Sequence, residues 1–176
     1  MSTLAAPGAG EFAPFYAGYI ATAGGDPLGL MERQVARFRR LGETLTEAQA
    51  AHRYAPGKWS VKEVLGHLID GERVFCYRAL RIARGDATPL AGFDENVYVA
   101  AAGSDRRTAA DLAGELVALR MANLAFFHSL DDVAFGRIGV ANDVPVSVRA
   151  LAFIMAGHTE HHLGVIGERY GIATAG

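Results

Sequence analysis

Apolar residues recur at intervals of three and four over four long stretches of this chain, the spacing of helices that bury one face. The first stretch opens with Asp26-Pro27, a capping residue followed by proline at the first helical position. Leu28, Met31, Val35, Phe38 and Leu45 then lie on one stripe, and the capping-box spacing of Thr46 and Gln49 predicts a short helical turn beyond it. A second helix starts at the capping box Ser60-Val61-Lys62-Glu63, with Trp59 placed to staple onto Val64. It runs to about Arg84, where Gly85 stops it. The third spans Thr108 to about Leu130, and the fourth Ser147 to Tyr170, ahead of Gly171. No sustained alternation of apolar and polar residues marks a strand. The pattern therefore predicts an all-α fold, a four-helix bundle.

Outside these helices, residues 1–25 are rich in Gly, Ala and Pro but carry Phe12, Phe15, Tyr16, Tyr19 and Ile20. A free tail has no use for five large apolar groups, so this arm is expected to pack on the bundle within a single domain, residues 1–176. Two connections, 85–107 and 131–146, are long enough to carry function or short elements of their own. In the first, Asp94-Glu95-Asn96 reads as the cap of a helical turn, with a cleft-facing role as the alternative.

Composition narrows the classes. The 17 basic and 19 acidic residues show no basic run, so no nucleic-acid partner is expected; Arg33, Arg37, Arg39 and Arg40 read as the wet side of a helix. No membrane partner is expected either, because no apolar stretch is long enough to span one. Without a signal-like start, and with a single Cys, the chain is expected to be cytoplasmic. One Cys also excludes a Cys-rich zinc module, while six His leave imidazole as the candidate ligand.

Each helical residue turns by about 100°. On that wheel Leu151, Ile154, Met155 and Val165 fall within roughly 60° of His158, and His162 about 40° away. Both rings thus sit in the middle of the buried stripe, where two neutral His four residues apart can converge on one metal ion. His161 lies at the stripe's edge, suited to support rather than ligation. Glu160 points roughly 160° away, toward solvent. His67, on the second helix beside Val64, Gly71 and Val74, supplies a third ring; taken singly it reads equally as a hydrogen-bonded core histidine. His52 and His128, near segment ends, read as bystanders. Thr159 stands where the zincin motif needs Glu, and no Glu-x-x-His pair exists for a di-iron bundle. What remains is a mononuclear three-His site with open positions, which suits catalysis better than a closed structural role. Because ligand His must be neutral, such a site should lose its metal below about pH 6.5.

KWSVKEVLGHLIDGERVF at 58–75 and AGHTEHHLGVIGERY at 156–170 resemble the DinB-like, or DNA-damage-inducible, superfamily. YAPGKWS at 54–60, RALRIARGDATPLAGFDEN at 78–96, Leu119-Arg120 and the aromatic N-terminal arm extend the likeness across the chain. The resemblance implies a four-helix bundle of up-down-down-up topology, often a homodimer. It also implies a divalent metal on one His of the second helix and a His-x-x-x-His pair of the fourth. Those positions are His67, His158 and His162 here, the trio already reached on the wheel. Zinc or nickel is the foremost expectation, with iron or manganese as alternatives. Family function is less uniform: some relatives are S-transferases using low-molecular-weight thiols, one branch isomerises maleylpyruvate with mycothiol, and many are grouped as candidate metal-dependent hydrolases.

Three readings follow for this chain and its small-molecule substrate. The leading one is thiol S-transferase-like chemistry, in which a cation favours the thiolate of a low-molecular-weight thiol co-substrate. Hydrolysis by metal-activated water is the alternative, and a metal-binding bundle without turnover the third. Cys76 lies on the opposite side of the second helix from His67 and is no nucleophile. Arg120, on the core side of the third helix, could hold a substrate carboxylate or form a structural ion pair; Asn123 beside it is a supporting candidate. Asp70 could orient His67 or act as a base, or lie on the surface. Glu63 is a capping residue first, and Tyr98 and Tyr170 are placed to border a cleft.

Overall fold

The computed structural model describes residues 4–174. Residues 1–3 of the expected arm, and Ala175 and Gly176 at the end of the expected domain, lie outside the described residues. A 3-10 turn at Pro14–Tyr16 leads into α1 (Ala17–Ala23), followed by α2 (Pro27–Thr44), α3 (Glu47–Ala51) and α4 (Val61–Ala83). Then come α5 (Glu95–Ala102), α6 (Ala109–His128), α7 (Asp132–Gly136), a hairpin of β1 (Ile138–Ala141) and β2 (Val144–Ser147), and α8 (Val148–Tyr170). Side-chain oxygens of Asp26, Thr46, Ser60, Thr108 and Ser147 accept the first free backbone N–H groups of their helices, which sets where each begins.

α2, α4, α6 and α8 form the bundle, and cross-helix pairs give its directions. Gly42 meets Ala113 while Glu32 meets His128, so α2 and α6 run antiparallel. Ile82 faces the hairpin that leads into α8, and Trp59, just before α4, faces Tyr170; α4 and α8 are antiparallel too. Lys62 reaches the start of α6 through Glu47, and Arg84 lies over Phe126 at its end, so α4 and α6 are parallel. The order is up-down-down-up. A parallel α4–α6 pair forces the intervening connection to travel the bundle's length, about 30 Å for a 20-residue helix. That is why residues 84–108 form a long crossover, and why they carry α5 across the face of α4.

The hairpin is a correction to the strand-free reading. Asn142 and Asp143 both adopt positive φ (54° and 61°), the two-residue turn whose twist matches paired strands. Four-residue strands are too short to show sustained alternation, and no glycine flags the turn. The hairpin also anchors the crossover, since Leu90 N–H donates to the Val140 carbonyl and Asn142 N–H to the Leu90 carbonyl, each at 2.9 Å.

The interior is layered. Met31, Phe75, Ile82, Phe127 and Ile154 pack one end; Phe38, Leu65, Leu112, Leu116 and Leu163 pack the other. Each such side chain contributes about 1.5–3 kcal/mol on burial. Between the layers lies a polar stratum drawn from all four helices: Gln34, Glu72, Arg120, Asn123 and Thr159, all buried. α1 lies on α8, where the Tyr19 carbonyl comes against Gly157 so closely that a Cβ there would collide with it. No described helix is long and apolar enough to cross a membrane.

Candidate metal centre

His67 of α4 and His158 and His162 of α8 meet beside the polar stratum. Antiparallel packing brings the middle of α4 against the middle of α8, and Gly71 makes room: a Cβ there would stand 3.2 Å from Cε1 of His158. The His67 and His158 Nε2 atoms are 2.8 Å apart, and one nitrogen of each of the three rings lies within 4.8 Å of the others. Ring centroids are 4.6–4.8 Å apart in edge-on pairs. Aromatic walls hold them in place, with Trp59 at 4.9 Å from His67, and Tyr19 and Phe75 at 5.4 and 5.7 Å from His158.

Burial fixes the protonation state. It pushes His67 down to about 4, opposed by the negative charge of Glu95. It pushes His162 down to about 3, with His67 and His161 adding to the effect. His158 is held well below the ordinary imidazole value, again by burial first and then by the neighbouring rings. All three are therefore neutral near pH 7 and present lone pairs.

This donor set fits a divalent cation. Nitrogens around a tetrahedral zinc stand about 3.3 Å apart for Zn–N bonds of about 2.0–2.1 Å, within the observed spread. A single shared proton between His67 and His158 satisfies two rings; one cation satisfies all three. The cluster opens on a cavity of about 340 Å³ walled by Phe15, Tyr16, Tyr19, Trp59, Phe75 and Phe93, with Arg78, Glu95 and Asn142 as its other polar residues. A cavity of this size is at the small end of small-molecule sites.

The remaining predicted residues divide. His161 is exposed but stacks edge-on 5.0 Å from His162, lining a neighbouring cavity of about 310 Å³ with Tyr170. Tyr170 donates to the Trp59 carbonyl at 2.6 Å, tying the end of α8 to the start of α4. Tyr98 borders a third cavity, about 360 Å³, on the far side of Arg78. Glu63 closes the capping box of α4 as its spacing predicts. Cys76 is half-buried, and burial pushes its thiol up to about 12.

Arg120 is fully buried and committed elsewhere. Its guanidinium donates to Glu72 at 2.5 and 3.1 Å, to Thr159 at 2.8 Å and to Gln34, while Asn123 donates to the same Glu72 at 2.8 Å. Asp70 faces Arg73 and Glu115 rather than the cavity, and burial raises its carboxyl above the usual range. Glu160 does not point into solvent as the wheel suggested; it pairs with Arg37 at 2.7 Å and accepts from Gln34 at 3.0 Å. A single-helix wheel omits α2, which covers that side. The cavity also holds two charged residues, Glu95 and Arg78. Glu95 faces the cavity while its neighbour Asp94 performs the capping, so the tripeptide does both things its composition allowed. Arg78, three residues after Phe75 on the face of α4 that carries His67, was visible only as part of a motif.

Two solved structures share the architecture. YfiT from Bacillus subtilis, described as a probable metal-dependent hydrolase with an unusual four-helix bundle topology, matches at TM-score 0.73 and 20% identity over 84% of this chain and 87% of that one. A mycothiol-dependent maleylpyruvate isomerase matches at TM-score 0.60 and 14% identity over 78% of this chain, which spans 58% of that protein. At such identities the likeness is one of fold. No curated protein matches in sequence. The model of the DinB superfamily matches residues 30–166, covering the bundle and all three clustered histidines, and the chain belongs to that superfamily.

Proposed function

We propose that this chain is a metal-dependent enzyme that activates a small thiol for transfer, with His67, His158 and His162 as the metal ligands. The observation that carries the reading is the convergence of three neutral imidazoles, within 4.8 Å, at the wall of an aromatic cavity. A bound divalent cation supplies positive charge that stabilises a thiolate over its thiol, and that equally lowers the pKa of a water molecule. The chain's residues do the rest. Trp59, Phe75 and Tyr19 hold the rings in register and keep bulk water away from their nitrogens. The raised thiol of Cys76 keeps the protein's own sulfur out of the reaction, so the nucleophilic sulfur arrives with the co-substrate.

Hydrolysis is the second reading, favoured by one feature. Glu95 faces the cavity close enough to His67 to influence its protonation, and an exposed carboxylate so placed is able to take a proton from water. The likeness to a protein described as a probable hydrolase points the same way. Titration of cobalt-loaded protein with glutathione, bacillithiol and mycothiol separates the two. A sulfur-to-cobalt charge-transfer band with one thiol supports transfer; silence with all three removes it and leaves hydrolysis or metal binding without turnover. Metal content that is unchanged by His67→Ala would remove the site itself. The homodimer implied by the family belongs to this proposal, and sedimentation equilibrium tests it.

A further inference from the structure

Two arginines are buried in this bundle, and only one has a counter-charge. Arg120 is fully enclosed, with Glu72 across its fork. Arg78 is 4% exposed, yet among the described residues no carboxylate lies within 4 Å of it. Its one short bond is to a neutral group, the Ala91 carbonyl at 2.7 Å, and the Phe93 ring lies 5.8 Å away. The Tyr16 hydroxyl stands beside the guanidinium. Burying a cation without an anion is unfavourable, and an anionic group entering the cavity would offset that cost.

Position identifies the ligand's other end. Arg78 and the three histidines line the same cavity. Arg78 follows His67 by eleven residues, about three turns and about 16 Å of rise on the same face of α4. A molecule that reacts at the histidines and reaches the guanidinium must therefore carry its charged group several bonds from its reacting group. One guanidinium matches one negative charge, and the planar fork matches the two oxygens of a carboxylate. Glu95, in the same cavity, repels a more highly charged group such as a phosphate dianion.

We propose that Arg78 is the anion-binding residue of this site and selects substrates bearing a carboxylate remote from the reacting group. This rests on the metal-centre reading for the location of the reacting end, but not for the carboxylate end. The role given to Arg120 by the sequence passes to Arg78, because Arg120 already has its carboxylate.

The test uses 6-mercaptohexanoate and 6-mercaptohexanol, which differ only in the carboxylate, on cobalt-loaded protein. Trp59, the one tryptophan, lines the cavity and reports binding by fluorescence, while the charge-transfer band reports sulfur at the metal. The acid should bind about tenfold more tightly than the alcohol, a difference of about 1.4 kcal/mol. Arg78→Gln should bring that ratio to about one and leave the alcohol's affinity unchanged, while Arg78→Lys retains part of the preference. A ratio of one in the unaltered protein overturns the proposal without any variant, as does an unchanged ratio in Arg78→Gln. A preference for the acid in fluorescence without a charge-transfer band upholds Arg78 and removes the thiol reading.

Discussion

The bundle buries two polar clusters side by side, and they solve the cost of burial in opposite ways. The stratum around Arg120 is closed: a guanidinium, a carboxylate, two amides and a hydroxyl from four helices satisfy one another. The histidine cluster is open. Three bases of the same kind face each other, no carboxylate hydrogen-bonds to any of them, and burial strips their protons. The closed cluster is complementary within the chain, whereas the open one is complementary to something else. Arg78 extends the open side, as a buried charge with no carboxylate paired to it among the described residues.

Variants sharpen that contrast, beginning with the closed cluster. Replacing Arg120 by Met leaves Glu72 as an unpaired buried charge and should cost about 3–5 kcal/mol in urea unfolding. Adding Glu72→Leu should recover most of that loss. If the single variant unfolds like the unaltered protein, the stratum is not the closed network described. The open cluster responds to pH instead. In metal-free protein His67 titrates near 4 folded and near 6.5 unfolded, so the unfolded chain takes up protons first as pH falls. Stability is fully present above about pH 6.5 and declines toward pH 4, by roughly 3 kcal/mol for this ring. Denaturant midpoints measured at pH 7 and pH 4.5 check this. The same depression corrects the expected metal release at about pH 6.5: neutral ligands persist to lower pH, so metal should stay bound at pH 6 and leave only as pH approaches 4.

Smaller effects test the walls. Gly157→Ala puts a methyl group where the Tyr19 carbonyl lies and should cost about 1–3 kcal/mol as α1 is displaced. Faster proteolysis of the arm, with cleavage before residue 24, is the accompanying readout. The smallest stability change belongs to His162→Leu in metal-free protein, which should shift unfolding by less than about 1 kcal/mol while abolishing stoichiometric cobalt binding. A loss as large as that of Arg120→Met would erase the distinction between the clusters.

Much of this was legible in advance where local chemistry decides. Caps at Asp26, Ser60, Thr108 and Ser147 place the helix starts, because a free N–H needs an oxygen within three residues. His158 and His162 share a face by rotation alone, and the family motif adds His67. The hairpin was hidden by its brevity and its Asn-Asp turn. Glu160 and Arg120 were misplaced or left open because a wheel shows which face a residue occupies, not which helix covers it. Arg78 could have been found by asking which basic residue on the His67 face of α4 lacks an acid one or two turns away.

By itself the sequence determined four long helices, where each begins and a stripe of imidazoles, all consequences of interactions within a few residues of each other; that α8 is buried on every face through its first half was not among them. Which helices run parallel, which charges meet and which stay unmatched was decided only by tertiary structure. Coulombic and desolvation effects depend on neighbours far along the chain: Gln34 and Glu160 are 126 residues apart, and His67 and His158 are 91. The distinction between a satisfied arginine and a waiting one exists only after those neighbours have met.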